Sequence, residues 1–280
     1  LEMTPCTLPA RARSRAPRSR QCASRFVACL AACCVARRGS EILAHSRRPP
    51  PSALLAMPLI DSEEPNEWQA ALSSYPRALD VLLSKKQDPS KLKALEEWFQ
   101  DPKKVSAQKA ALDRATLSKI VEWKLSRGTF RPGLLQKAQS NDEATVQEAY
   151  RQAREIILAE QSSETGDGSV PQALLEAAAK AVKAMDKSLF GVGPATASAV
   201  LARCFPGTVA FMSDEAMLGC KLFASSAALK YDMKTFKRFN EVVQGRARAL
   251  NRKSGRQDWT GDAVARALWA EHVLARAAAA

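Results

Sequence analysis

Histidine and cysteine are scarce where this chain could fold. Only two histidines occur among 280 residues, His45 and His272, and neither has a catalytic context. Of the seven cysteines, five (Cys6, Cys22, Cys29, Cys33 and Cys34) crowd into the first 34 residues, leaving Cys204 and Cys220 for the remainder. That distribution excludes a disulfide framework, and beyond residue 56 no zinc or iron–sulfur ligand spacing occurs, so neither metal nor cofactor is expected. Cys204 falls on an apolar helical stripe and is expected as a buried, reduced thiol. Alternating strand patterns and internal repeats are also lacking. The short run Thr208-Val209-Ala210-Phe211 reads as an extended connector rather than a strand. The apolar stretch from Phe26 to Ala36 is too short to span a bilayer, so no membrane partner is expected.

Lysine is absent from residues 1–56, which carry ten arginines against two acids, Glu2 and Glu41, and so hold +8 of the chain's net +13. The other 224 residues carry 32 basic and 27 acidic side chains. The basic pI is therefore mostly a property of the leading segment and argues only weakly for nucleic acid. Residues 1–56 are rich in Arg, Ser, Ala and Pro and are expected as a disordered extension. An organelle transit peptide, a secretory signal and translated leader sequence ahead of Met57 all compete as readings, the first and last being favoured.

From Met57 onward the periodicity is helical. Asp88-Pro89-Ser90 opens a helix through Gln100 with Leu92, Leu95 and Phe99 on one side. Thr116 is expected to cap a helix carrying Leu117, Ile120, Val121 and Leu125, and residues 142–158 place Val146, Ala149, Tyr150, Ala153 and Ile157 on one stripe. Residues 57–280 are expected to form one helical domain, with a loop by composition at 161–171 between its halves.

Two further helices flank the most informative stretch, Leu189-Phe190-Gly191-Val192-Gly193-Pro194-Ala195-Thr196-Ala197. The first runs from about Gln172 to Leu189, and the second starts at Pro194, where the missing N–H costs no hydrogen bond. Gly191 and Gly193 allow positive φ and a close backbone approach. Such a turn aims N–H groups outward at the positive end of a helix dipole, which suits a phosphate. A tight turn without ligand is the alternative; the Leu, both glycines, the valine between them and the Thr-Ala pair together favour a phosphate-binding hairpin through Gly191, Val192, Gly193, Ala195 and Thr196.

Trp123, Lys124, Arg127 and Arg131 form a second cluster, with Gly128 and Pro132 ending the helix near Arg127. The arginines could bind phosphate and the indole could stack on a base. The favoured alternative is a core tryptophan with arginines bonded to helix-end carbonyls. The basic run from Lys234 to Arg256 reads first as a solvated helix face.

The Leu189–Ala197 stretch resembles the hairpin of the helix-hairpin-helix DNA glycosylase superfamily, the endonuclease-III-like fold. Trp123-Lys124-Leu125-Ser126-Arg127-Gly128-Thr129-Phe130-Arg131-Pro132, the hairpin and Met212-Ser213-Asp214-Glu215-Ala216, in that order, are also similar to a eukaryotic group of glycosylase-like proteins of the Amun type. The resemblance implies an all-α helical bundle of that superfamily's kind. It also implies a catalytic aspartate about twenty residues after the hairpin, and Asp214 stands there, shifted by one residue. Helix N-capping is the other role for Asp214, and Glu215 is a weaker catalytic candidate. Bifunctional members carry a nucleophilic lysine where this chain has Ala195, so the resemblance implies no lyase activity.

The expectation is a monomeric, monofunctional DNA N-glycosylase acting on damaged or mismatched bases in duplex DNA, with Asp214 as its carboxylate. It would work in the nucleus, or in a mitochondrion or chloroplast if 1–56 is a transit peptide. The alternatives are a non-catalytic helix-hairpin-helix DNA-binding module and, less favoured, a protein-interaction role.

Overall fold

A computed structural model describes residues 57–160 and 170–279. The leading segment 1–56 and most of the expected 161–171 loop lie outside the described residues. Within them the chain is helical, without a strand. In chain order the helices are α1 (Pro65–Ser73), α2 (Tyr75–Leu83), α3 (Pro89–Gln100), α4 (Pro102–Ala110), α5 (Arg114–Arg127), α6 (Leu134–Gln139) and α7 (Glu143–Ala159), then α8 (Gln172–Ser188), α9 (Pro194–Cys204), α10 (Asp214–Gly219), α11 (Met233–Ser254) and α12 (Gly261–Ala278).

Short polar side chains define the starts. Asp88, Asp113, Asp142 and Asp232 each accept a hydrogen bond from a backbone N–H three residues on, which satisfies one orphan donor of the first turn. This corrects the expected cap of α5. Asp113 Oδ1 accepts from the Thr116 N–H at 2.6 Å, so Thr116 lies inside the first turn. The carboxylate at that position accepts directly, where a hydroxyl at Thr116 would have required a later start.

The helices pack in two neighbourhoods. α5 lies against α3, α6, α7 and α9, while α8 packs on α7 and α9. α12 lies against α1, α2, α10 and α11, so the two ends of the described chain meet. α9 is buried all round, from Ala195 to Cys204, a pattern that small residues permit because neighbouring backbones can come close. Its one long polar side chain, Arg203, has its donors satisfied by neutral oxygens: it donates to the carbonyls of Phe99 (2.8 Å) and Trp98 (2.9 Å) at the end of α3, and to Gln108 Oε1 (2.5 Å).

Residues 209–213 cross from one neighbourhood to the other without regular structure, and side chains replace the ladder that a strand would need. Asn240 takes both the Ala210 N–H (3.0 Å) and the Thr208 carbonyl (2.9 Å). Asp262 Oδ1 accepts from the Phe211 N–H at 3.0 Å, and Ser198 Oγ accepts from the Met212 N–H at 3.2 Å. The connector thus delivers Ser213 and Asp214 to a fixed place at the seam.

Candidate active site

The hairpin between α8 and α9 is held from below. Asn141 accepts from the Phe190 N–H (2.8 Å) and donates to the Phe190 carbonyl (2.9 Å) and to the Ala138 carbonyl (2.8 Å). Gly191 has φ +76°, and a Cβ there would lie 2.7 Å from Lys137 Cβ and 2.9 Å from Ala138 N. Both the conformation and the closeness of α6 therefore demand glycine. Gly193 departs from the expectation of positive φ. Its φ is −82° with extended ψ, and a Cβ there would meet nothing within 4 Å. Its missing side chain leaves the hairpin open rather than permitting an unusual turn.

Backbone accounting divides the five expected phosphate binders. The Val192 N–H is bonded to the Leu189 carbonyl (3.3 Å) and the Thr196 N–H to the Gly193 carbonyl (2.9 Å), and both side chains are buried. Those two donors are used within the turn. Among the described residues, the N–H groups of Gly191, Gly193 and Ala195 have no protein acceptor. They stand at the N-terminus of α9, where the helix dipole adds positive potential.

These residues line one wall of a cavity of about 220 Å³. Lys124, Gly128, Thr129 and Arg131, at and beyond the end of α5, form a second wall, and residues 211–215 with Tyr231 form the third. Three segments far apart in sequence therefore converge on one space. The volume is below the roughly 300–1,000 Å³ of drug-sized ligand sites and suits a single ring.

Asp214 is the first residue of α10 but does not cap it. Ser213 Oγ takes that role by accepting from the Ala216 N–H at 3.3 Å. The Asp214 carboxylate is left to face the cavity, where Tyr231 O–H donates to Oδ1 at 2.8 Å. Burial, then the hydrogen bond to Asp214, pushes the Tyr231 phenol up to about 12, so it remains a donor through neutral pH. The Arg131 guanidinium lies over the Tyr231 ring, 5.1 Å from its centre. Tyr231 carried no sequence signal: it is separated from Asp214 by a non-helical stretch whose path periodicity does not give. Glu215 also reaches the cavity wall, and its charge acts on Lys86, Arg127 and His272.

Lys124 enters the same space. Among the described residues its ammonium has neither an ion pair nor a hydrogen bond. Burial lowers its pKa to about 8, the charge of Arg131 acts in the same direction, and Asp214 opposes both.

Trp123 does not line this cavity. Its ring is 2% exposed, stacks on Phe99 at 3.6 Å between centroids, and donates from Nε1 to Glu96 Oε2 at 2.7 Å. The structure has the favoured reading, a core tryptophan, and overturns the other, stacking on a base, because Phe99 already occupies one face of the buried ring. Arg127 reaches the cavity wall but is bound inward. Its Nη1 pairs with Glu96 Oε2 at 3.1 Å and donates to Tyr75 Oη, and its guanidinium lies 3.9 Å from the centre of the Trp269 ring. Burial alone would raise the Glu96 carboxyl; Arg127 and the hydrogen bonds from Tyr75, Trp123 and Gln100 outweigh it and hold the group below its ordinary value. Arg127 and Trp123 thus belong to a buried polar knot beneath the site. Of the basic run on α11, Arg246 donates to the Ile60 carbonyl and Lys253 pairs with Glu64, and no member of the run lines the cavity.

Compared with protein-family models, with curated proteins and with solved structures, the chain matches none.

Among the described residues no helix is long and apolar enough to cross a membrane, and no group of three or more His, Cys, Asp or Glu side chains is placed to hold a metal ion.

Proposed function

We propose that this protein is a DNA glycosylase-like enzyme of the helix-hairpin-helix kind, which grips duplex DNA at the hairpin and releases a base extruded into the neighbouring cavity. The observation that carries the reading is the position of the Asp214 carboxylate. It is relieved of capping by Ser213, held by Tyr231, and placed on a ring-sized cavity that is also lined by Gly191, Gly193 and Ala195, whose N–H groups are unpaired.

In this reading the three N–H donors bind a backbone phosphate and fix register without reading sequence. The extruded base enters the cavity. Its C1′–N bond breaks with the electron pair leaving on the base, and positive charge develops on the sugar. Asp214 Oδ2, free of the Tyr231 hydrogen bond, stabilises that charge or accepts a proton from the attacking water. Tyr231 keeps the carboxylate turned into the cavity, and Arg131 holds Tyr231.

The test is formation of abasic sites in a panel of duplexes that carry single damaged or mismatched bases. Wild-type protein releases a base from at least one duplex, and Asp214→Asn lowers the rate by about 10²–10⁴-fold while duplex affinity is kept. Duplex binding without base release from any duplex would leave a non-catalytic DNA-binding module. Release unaffected by Asp214→Asn would remove Asp214 from the chemistry.

A further inference from the structure

A second cavity, of about 130 Å³, lies where α3, α4, α5, α9 and α12 meet. It shares Arg127 and Phe211 with the first cavity, but no residue of the hairpin lines it. Its volume is well above the roughly 10–15 Å³ that one water needs and below the roughly 300 Å³ of the smallest drug-sized sites. Three guanidinium side chains reach its walls, Arg127, Arg203 and Arg266, against one carboxylate, Asp262. Aromatic and small apolar side chains supply most of the remainder.

The unmet hydrogen bonds of the arginines are all donors. The Arg127 side chain is 6% exposed, and its Nε–H has no acceptor among the described residues, although Nη1 is bound to Glu96 and Tyr75. The Nε–H of Arg266 is also buried without an acceptor. Among the described residues Arg266 forms no hydrogen bond or ion pair, not even with Asp262 one turn earlier on α12; its guanidinium lies over the Tyr75 ring, 4.7 Å from the centre. Arg203 donates to neutral oxygens and brings its charge without an ion pair. Asp262 spends Oδ1 on the Phe211 N–H, and its Oδ2 has no donor among the described residues. Burial raises the Asp262 carboxyl, and the charges of Arg266 and Arg127 oppose that, so the three groups are neighbours. A buried charged donor without an acceptor is costly, and water can take the hydrogen bond without balancing the charge.

We propose that this second cavity binds one small tetrahedral oxyanion that carries a proton, inorganic hydrogen phosphate. The Nε–H groups of Arg127 and Arg266 donate to its oxygens, a pairing that guanidinium geometry favours, and Arg203 adds charge. The O–H of the ion donates to Asp262 Oδ2. That last bond chooses between oxyanions: sulfate carries no proton at neutral pH and would set an oxygen lone pair against the carboxylate. The volume admits the ion and leaves no room for a nucleoside beside it. The site is separate from the phosphate clamp at the hairpin and does not depend on the glycosylase reading.

Calorimetric titration of the full chain with inorganic phosphate, and separately with sulfate, at neutral pH and constant ionic strength tests the proposal. Phosphate should bind, and sulfate should bind at least about ten-fold more weakly, since it leaves the buried acceptor of Asp262 unpaired. Arg266→Gln should weaken phosphate about ten-fold or more by removing a charged donor. Gly193→Val, at the hairpin, should leave phosphate affinity unchanged. Asp262→Asn keeps an acceptor for the Phe211 N–H and should abolish the preference for phosphate over sulfate. No phosphate binding in the millimolar range, affinity unchanged in Arg266→Gln or lost in Gly193→Val, or equal affinity for phosphate and sulfate in the wild-type chain would each overturn the proposal. If Arg266→Gln lacks a cooperative melting transition, Asp262→Asn decides: a preference kept there overturns the proposal, and its loss upholds it.

Discussion

Tyr231 and Asp214 form a single hydrogen bond that separates two roles for the same carboxylate. A helix-capping aspartate spends its oxygen on backbone N–H groups; here Ser213 does so and Asp214 accepts from a phenol. Tyr231→Phe is expected to lower stability by only about 1 kcal/mol, the net worth of one hydrogen bond, and to reduce base release far more than duplex binding. Equal losses in both, measured by single-turnover kinetics and titration, would assign Tyr231 to packing. Glu96 behaves differently because it is 3% exposed and pairs with Arg127. Glu96→Ala leaves a buried guanidinium without its acid and is expected to destabilise the protein by about 3–5 kcal/mol in urea titration. Its carboxyl is held below the ordinary value in the folded state. Its contribution is therefore complete above the unfolded carboxyl pKa of about 4.3 and is lost as pH falls through the lower folded value. Wild-type stability should fall across that acid window, and a Glu96→Gln variant should show a flatter acid limb.

Elements are positioned by residues outside them. The α8–α9 hairpin depends on Asn141, which precedes α7, and on the closeness of α6 beneath Gly191. Gly191→Ala meets both a left-handed φ, which costs about 1–2 kcal/mol, and a Cβ contact of 2.7 Å. It is expected to weaken duplex binding at least as much as it lowers melting temperature. Gly193→Val has no such strain, because its φ is ordinary and its Cβ would point into open space. It should therefore leave thermal stability nearly unchanged while blocking the N–H groups beside it. Full duplex affinity in Gly193→Val, measured at low salt, would sink the phosphate clamp. The helical period placed α3, α7, α8 and the start of α9 to within a residue or two, since each exposes its apolar stripe in local order. The start of α5 was misjudged at Thr116 because Asp113 and Thr116 are both capping types and only the geometry shows which accepts.

At the scale of the molecule, α12 joins the two ends of the described residues by packing on α1, α2, α10 and α11. It carries the buried Trp269, which lies against Tyr75 and under Arg127, and Asp262, which fixes Phe211. Ending the chain before Gly261 should therefore abolish the cooperative unfolding transition, seen by tryptophan emission, and not merely shorten the fold; a sharp transition in the truncated chain would show that α12 is peripheral. The order of blocks along the chain made the hairpin, its partner Asp214 and the 123–132 cluster legible as separate features, because each is a local pattern of residue types. Which side of α5 faces the cavity was not legible. Trp123, Lys124 and Arg127 lie within one turn and a half, and a few tens of degrees decide that Trp123 and Arg127 close a buried knot with Glu96 while Lys124 enters the cavity. Tyr231 was invisible for the same reason: its approach to Asp214 depends on the path of residues 220–232, which no periodicity describes. The sequence alone determined a helical chain and a turn whose glycines and proline suit a phosphate, because those follow from short-range sterics and hydrogen bonding. Tertiary packing alone decided that an aspartate, a tyrosine and an unpaired lysine share one cavity, because a site of that kind is made where distant elements meet.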